Sequence, residues 1–201
     1  MTVIIGLTGG IASGKTTILR FIKKQNIPTH DSDKTVAGLY NNPTQEFINY
    51  LKLIGLGETI KQKKVYKKKV RDRVLKNKKK LLKLEQFLHK KVRISRDRFI
   101  KKSKKRRNKI VVLDIPLLFE SGLESICDYI FLAYCPLKIR SERALKRNKM
   151  DKATLDKFIK LQMPDDLKII KSDFVINTSL PISETNKQTT KAINIIKNIK
   201  L

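Results

Sequence analysis

Eight residues near the start of the chain, Gly9-Gly10-Ile11-Ala12-Ser13-Gly14-Lys15-Thr16, leave few folds open. They follow the β-branched apolar run Val3 to Leu7 and precede Ile18, Leu19 and Ile22 at helical spacing. Strand, glycine loop and helix in that order make the Walker A arrangement, and each residue type has a physical task in it. Gly9 and Gly14 let the loop curl with its N–H groups inward, and the helix start adds positive potential for an anion. Lys15 reaches the β- and γ-phosphates of a nucleotide, and the Thr16 hydroxyl ligates Mg²⁺.

The rest of the chain supplies the sheet around that loop. A second short strand is expected through Ile27 and Pro28 to His30-Asp31-Ser32-Asp33, then a helix marked by Val36, Leu39 and Tyr40 and stopped by Asn41-Asn42-Pro43. Ile110 to Leu113 and Tyr129 to Tyr134 read as strands buried on both faces, as in a parallel sheet, and Asp173 to Ile176 supplies a fifth. Pro181 opens a last amphipathic helix. Between the second and third strands, residues 43–108 are dense in Lys and Arg and show no strand signal. Val65, Val70, Val74, Leu81, Leu84, Leu88 and Val92 recur there at helical steps, so the stretch is expected to be helical, with an apolar stripe beneath a basic face. The whole predicts an α/β fold of the doubly wound kind, with a five-stranded parallel sheet flanked by helices and a helical insertion after strand two.

Composition narrows the class less than the motif does. At 201 residues and 40% hydrophobic, the chain can fill one full-sized core with a smaller appended lobe. Its formal net charge of +28 draws polyanions of any kind, and an AT-rich coding sequence explains the lysines as well as selection for a basic surface does. No nucleic-acid-binding module is present, and Phe and Tyr do not interleave with the basic residues as stacking platforms, so no specific nucleic-acid partner is expected. Cys127 and Cys135 lack partners at metal-ligand spacing and read as thiols of a reducing cytoplasm. No apolar run approaches the roughly 18 residues of a membrane span.

A Walker A loop alone leaves GTPases, ATPases and small-molecule kinases open. Asn148-Lys149-Met150-Asp151 matches the guanine-reading motif of GTPases, but it follows the polar helical segment Ser141 to Arg147 instead of a strand. No aspartate-x-x-glycine switch follows the third strand. Asp114 ends that strand and is followed by Ile115-Pro116-Leu117-Leu118-Phe119-Glu120, not by the acidic pair of a motor ATPase.

At this point the residues resemble the dephospho-CoA kinase family. The matching pieces are Ile5 through Thr17, Asp31-Ser32-Asp33, Ile54-Gly55, Leu88-His89, Leu113 through Glu120, Arg143 and Arg147, Gln162, and Ser172-Asp173-Phe174-Val175-Ile176. They cover nearly the whole chain, and Pro-Leu-Leu-Phe-Glu is the most specific of them. Three departures stand out: Ala12 where the family usually has Gly, harmless to the Walker A pattern; Lys90 after His89 in place of Pro; and Thr178-Ser179 in place of an Asn-rich turn near the adenine site.

The resemblance implies an ATP-dependent phosphotransferase acting on the 3′-hydroxyl of dephospho-CoA, with ATP and Mg²⁺ as cofactors, working in the cytoplasm as a monomer or small homo-oligomer. Gly10, Ile11, Ala12, Ser13, Gly14, Lys15, Thr16 and Thr17, with Arg147, would hold the nucleotide, and Thr16 the metal. Asp33, Lys15 and Arg143 would carry the chemistry, Asp33 as general base, with Asp31 as the neighbour to share or take that role. Thr8, Asp31, His89, Asp114 and Pro116 would face the acceptor, and Asp114 holds the Walker B position. Each has a plainer reading beside it: helix caps for the two aspartates, strand-end capping for Asp114, a solvated pair for Arg143 and Arg147, and a polar helix residue for His89. The implied layout is a core of about residues 1–33, 109–137 and 166–201, an acceptor lobe of about 34–108 and a lid of about 138–165. A nucleoside monophosphate kinase and a basic nucleic-acid-binding P-loop protein are the competing functions.

Overall fold

The computed structural model describes residues 1–148 and 151–200. In chain order the elements are β1 (Val3–Gly9), α1 (Lys15–Lys24), β2 (Thr29–Asp31), α2 (Ser32–Asn41), α3 (Gln45–Leu53), β3 (Ile60–Lys61), β4 (Lys64–Val65), α4 (Lys67–Val74) and α5 (Lys78–Lys105). There follow β5 (Ile110–Asp114), β6 (Tyr129–Tyr134), α6 (Leu137–Asn148), α7 (Lys152–Lys160), α8 (Asp165–Ile170), β7 (Phe174–Asn177) and α9 (Ile182–Lys200). The chain divides into two compact units, Met1–His30 with Lys101–Leu201, and Asp31–Ile100.

The first unit is built on a five-stranded sheet of order β2-β5-β1-β6-β7. β1 runs parallel to both β5 and β6, and β6 runs parallel to β7. Parallel strands need crossovers that lay helices on the faces, which is why these strands read as continuous apolar runs. One face carries Val3, Ile5, Leu7, Ile110, Val112, Phe131, Ala133 and Ile176, and it is sealed by Ile18, Leu19 and Ile22 of α1 with Ala192, Ile193 and Ile196 of α9. Each such aliphatic side chain removed from water contributes roughly 1.5–3 kcal/mol, so burial holds α1 and α9 against this face of the sheet. Val111, Leu113, Ile130 and Leu132, alternating with the first set, are buried as well. Asp173, part of the family-like Ser172-Asp173 piece, accepts a hydrogen bond from the Ile130 N–H at 2.7 Å and so joins β7 to β6.

The second unit has its own apolar cluster: Tyr40, Phe47, Ile48, Leu51, Ile54, Leu56, Val65, Val70, Val74, Leu84 and Phe87. Phe87 stacks on Tyr50 at 4.3 Å between ring centroids and on Phe47 at 5.6 Å. The expectation that residues 43–108 hold only helices is corrected here. Ile60–Lys61 and Lys64–Val65 form an antiparallel hairpin, and Val65 is a strand residue, not part of a helical stripe. The two-residue turn between the strands, Gln62 and Lys63, has φ of 49° and 60°. That left-handed pair is what a tight hairpin requires, but it is usually signalled by Asn-Gly or Asp-Gly. With Gln-Lys at the turn and strands of two residues each, nothing in the sequence marked it.

Candidate active site

The glycine loop leaves β1 in register with its neighbours: Leu7 lies opposite Asp114 and Gly9 opposite Ala133. The loop therefore opens at the carboxyl edge of the sheet, where open α/β sheets take their ligands. Inside it the Ser13 N–H donates to the Gly10 carbonyl at 3.1 Å and the Thr17 N–H to the Gly14 carbonyl at 2.8 Å, the second already a turn of α1. Gly14 has φ of 83°, and a Cβ there would lie 2.8 Å from Thr178 Oγ1, so both conformation and space demand glycine. The Ser13 Oγ is buried and has no hydrogen-bond partner among the described residues.

Ala12 has φ of 56°, in the left-handed region that costs an L-residue roughly 1–2 kcal/mol. Ala at this position is compatible with the Walker A pattern but is not without cost. Ala12→Gly is expected to leave turnover within about twofold. Thermal unfolding should show no loss of stability beyond about 1 kcal/mol, because relief of the strain is set against a more flexible unfolded chain.

Lys15 reaches across to Asp114, and the two form an ion pair through Lys15 Nζ and Asp114 Oδ1, with side chains only 15% and 7% exposed. The Walker A cation and the carboxylate at the end of β5 are thus held together and partly desolvated, where their charges act more strongly than at the surface. Thr8 is fully buried, and its hydroxyl donates to the Pro116 carbonyl at 3.2 Å, tying the start of the loop to the segment after β5. Thr16 lies in the first turn of α1 and is exposed. Hard oxygen donors of this kind, a hydroxyl and a carboxylate, suit Mg²⁺, which keeps waters and phosphate oxygens as its other ligands. Among the described residues no group of three or more His, Cys, Asp or Glu is assembled to hold a metal without such help.

Helices α6 to α8 bring a second set of residues to the loop. Gln162 Oε1 accepts from the Ile11 N–H at 3.1 Å. Arg140, only 4% exposed, pairs with Asp165 through Nη2 and Oδ2 and lies against Gly10. Arg143 donates to the Thr178 carbonyl at 3.0 Å and to Cys135 Sγ at 3.4 Å. Thr178 in turn donates through Oγ1 to the Ser13 and Tyr134 carbonyls, so Arg143 and Thr178 brace the back of the loop. The Arg147 side chain lies outside the described residues, as do Lys149 and Met150 of the GTPase-like tetrapeptide. Asp151, the last of that tetrapeptide, caps α7 by accepting from the Thr154 N–H at 2.7 Å. Its pKa is lowered by that backbone hydrogen bond first and by the Thr154 side chain second.

Glu120, the end of the Pro-Leu-Leu-Phe-Glu stretch, pairs at 2.9 Å with Lys168, whose side chain is 1% exposed, and accepts from the Met163 N–H at 2.8 Å. Burial raises the pKa of this carboxyl, but the Lys168 ammonium and the backbone donors outweigh it, and the net value is lowered. Glu120 thus holds α8 and the segment that carries Gln162.

The remaining site candidates belong to the second unit. Asp31 is the N-cap of α2, its Oδ1 accepting from the Lys34 N–H at 2.9 Å. Asp33 sits in the first turn of the same helix and is exposed. His89 is an exposed residue of α5. Sequence reasoning gave no role to Arg140, Asp165, Lys168 or Thr178. Gln162 and Glu120 had drawn notice as parts of motifs, and Thr178 as a departure from the family's turn near the adenine site.

Residues 3–184 match the family model described as Dephospho-CoA kinase. The chain belongs to the dephospho-CoA kinase family. A dephospho-CoA kinase of Bartonella quintana is 36% identical over 197 residues, covering 97% of this chain and 99% of that one. Among solved structures, Thermus thermophilus TT1252 superposes with a TM-score of 0.78 at 26% identity, over 96% of this chain and 97% of that one. The dephospho-CoA kinase of Campylobacter jejuni gives a TM-score of 0.75 at 24% identity over the full length of both chains, and shows the shared fold. The P-loop kinase architecture expected from the motif order is the one this dephospho-CoA kinase family member has.

Proposed function

We propose that this protein transfers the γ-phosphoryl group of ATP to the 3′-hydroxyl of dephospho-CoA, giving coenzyme A and ADP, with Mg²⁺. The observation that carries the reading is the loop Gly9–Thr16 with its lysine paired to the Asp114 carboxylate, in a chain of this family over nearly its whole length. Transfer forms a bond between the acceptor oxygen and the γ-phosphorus and breaks the bond to the β,γ-bridging oxygen. The acceptor proton passes to a base and ADP leaves. Little covalent chemistry falls to the protein, so its work is alignment and neutralisation of charge.

In this reading the loop amides and the start of α1 hold the phosphates, and Lys15 moves from Asp114 onto the β- and γ-oxygens. Thr16, with Asp114 through water, would hold the Mg²⁺, which when bound neutralises phosphate charge. Asp33 takes the acceptor proton, while Asp31, whose carboxylate caps α2, orders the turn that presents it. Arg143 keeps the loop in shape through Thr178. His89 and the basic residues of the second unit favour the diphosphate of the acceptor. No helix among the described residues is long and apolar enough to cross a membrane, and the absence of a disulfide at Cys127 or Cys135 suits the reducing cytoplasm where we place the enzyme.

The test is ADP formation by purified protein with Mg²⁺ and, side by side, dephospho-CoA, AMP and CMP. ADP release is expected to depend on dephospho-CoA by at least about tenfold over the other acceptors. Equal ADP formation without acceptor overturns the assignment, and preference for AMP or CMP replaces it with a nucleoside monophosphate kinase. Rate differences of this size follow from binding energy realised only with the right acceptor.

A further inference from the structure

The motif order picks out Arg143 and Arg147 as the arginines of the site, yet among the described residues the guanidinium that lies against Gly10 of the phosphate loop is that of Arg140. A Cβ added to Gly10 would fall 1.7 Å from Arg140 Nη1 and 3.2 Å from Gln162 Oε1. The missing side chain at Gly10 is therefore the space in which Arg140 sits. Arg140 is 4% exposed, its Nη2 is paired with Asp165, and its Nε is buried with no hydrogen-bond partner among the described residues. A buried guanidinium N–H without an acceptor is unfavourable unless a ligand supplies one, and a phosphoryl oxygen is the acceptor that its planar fork fits best.

The position along the loop indicates which phosphate that is. In a Walker A loop the lysine side chain folds back to the β- and γ-phosphates. Here Lys15 Nζ points to the sheet edge at Asp114, and Gly10 and Ile11 are the loop residues that leave that edge directly from β1. The helix end of the loop, Gly14 to Thr17, is braced instead by Thr178 and, through it, by Arg143. The Ile11 N–H already binds an oxygen, that of Gln162, which marks this side of the loop as an acceptor-binding surface.

We propose that Arg140 is a further catalytic residue: its guanidinium, oriented by Asp165, contacts the γ-phosphoryl group of ATP and neutralises the charge that builds there during transfer. This rests on the kinase reading above. It makes Arg140 a built-in counterpart of the arginines that some phosphoryl-transfer enzymes receive from a partner protein. Arg143 is left as the residue that positions the loop.

The experiment uses Arg140→Gln and Arg140→Lys, with Asp165→Asn as the positioning control. For Arg140→Gln, kcat with saturating dephospho-CoA and MgATP is expected to fall about 10²- to 10³-fold, the loss typical of removing one preorganised charge-stabilising donor. Calorimetric titration should show ADP affinity unchanged within about threefold, while affinity for a non-hydrolysable ATP analogue falls about tenfold or more. Arg140→Lys keeps the charge without the fork and is expected to recover only part of kcat. Asp165→Asn should lower kcat about tenfold with ADP affinity intact.

If Arg140→Gln and Arg140→Lys turn over within threefold of the wild type, the proposal is wrong. It is equally wrong if both variants lose ADP and ATP-analogue affinity in parallel, since Arg140 would then build the loop instead of meeting the terminal phosphate. Should Arg140→Gln not fold, the Lys variant and Asp165→Asn carry the same two readouts. Failure of the kinase reading is distinct, because it appears in the wild type as ADP formation that ignores dephospho-CoA.

Discussion

Asp33→Asn is expected to lower kcat by about 10²- to 10⁴-fold, the range for loss of a positioned general base, while ATP and ADP bind as before. The argument begins with the first turn of α2. Two carboxylates stand there, and either one can serve as helix cap. The cap belongs to Asp31, which accepts from the Lys34 N–H, so the plain explanation for an aspartate in this turn does not extend to Asp33. Asp33 gains from the helix dipole, but that is worth only about 0.3–1 kcal/mol near a surface. Structure alone therefore gives little reason for its loss to matter, and a large kinetic effect would report chemistry. Asp31→Asn is the informative companion, because asparagine caps helices about as well as aspartate and the turn is retained. If Asp31→Asn is the variant that loses turnover and Asp33→Asn stays within threefold, the base is Asp31.

Glu120→Gln is expected to destabilise the protein by about 3–5 kcal/mol, the cost of leaving one member of a buried ion pair without its partner. For a chain of this size that corresponds to a fall in Tm of about 6–20 °C by thermal unfolding. The stranded group is Lys168, whose side chain is 1% exposed. The loss should be local in its consequences, loosening α8 and the Met163 N–H contact, and with them the segment from which Gln162 reaches Ile11. Replacing both partners by Met is expected to restore most of the stability, as apolar packing often substitutes for a buried pair. A fall of less than about 3 °C in Glu120→Gln would show that Lys168 does not depend on this carboxylate. The pH dependence has a fixed sign. The folded-state pKa of Glu120 is lowered, so its contribution is complete above the ordinary carboxylate value of about 4.3 and is lost as pH falls below that, through the lower folded value. The wild type should thus lose stability in acid more steeply than Glu120→Gln.

The legible and illegible parts of this protein divide along a physical line. β1, the loop and α1 were readable because their signals are local: a β-branched run, glycines where the backbone must curl, and helical spacing in Ile18, Leu19 and Ile22. The strands β5 and β6 were readable because burial on both faces leaves an apolar run that helices and loops rarely mimic. The β3–β4 hairpin was not, since its turn uses Gln62 and Lys63 in left-handed conformation and its strands are too short for alternation to show. In a chain so rich in lysine, the charged residues that matter look like those that do not. Arg143 drew notice through its spacing from Arg147, whereas Arg140, three residues earlier on the same helix, has no local mark.

What the sequence determined by itself is the phosphate loop, the five-stranded α/β frame and the family, because these rest on backbone conformation and burial, which neighbouring residues dictate. Tertiary structure alone decided which cation lies on Gly10, which carboxylate holds Lys168, and which hydroxyl braces Ser13. Those pairings join residues from 48 to 165 positions apart, and a charge carries no record of its partner until the fold has brought the two within a few ångströms and removed the water between them.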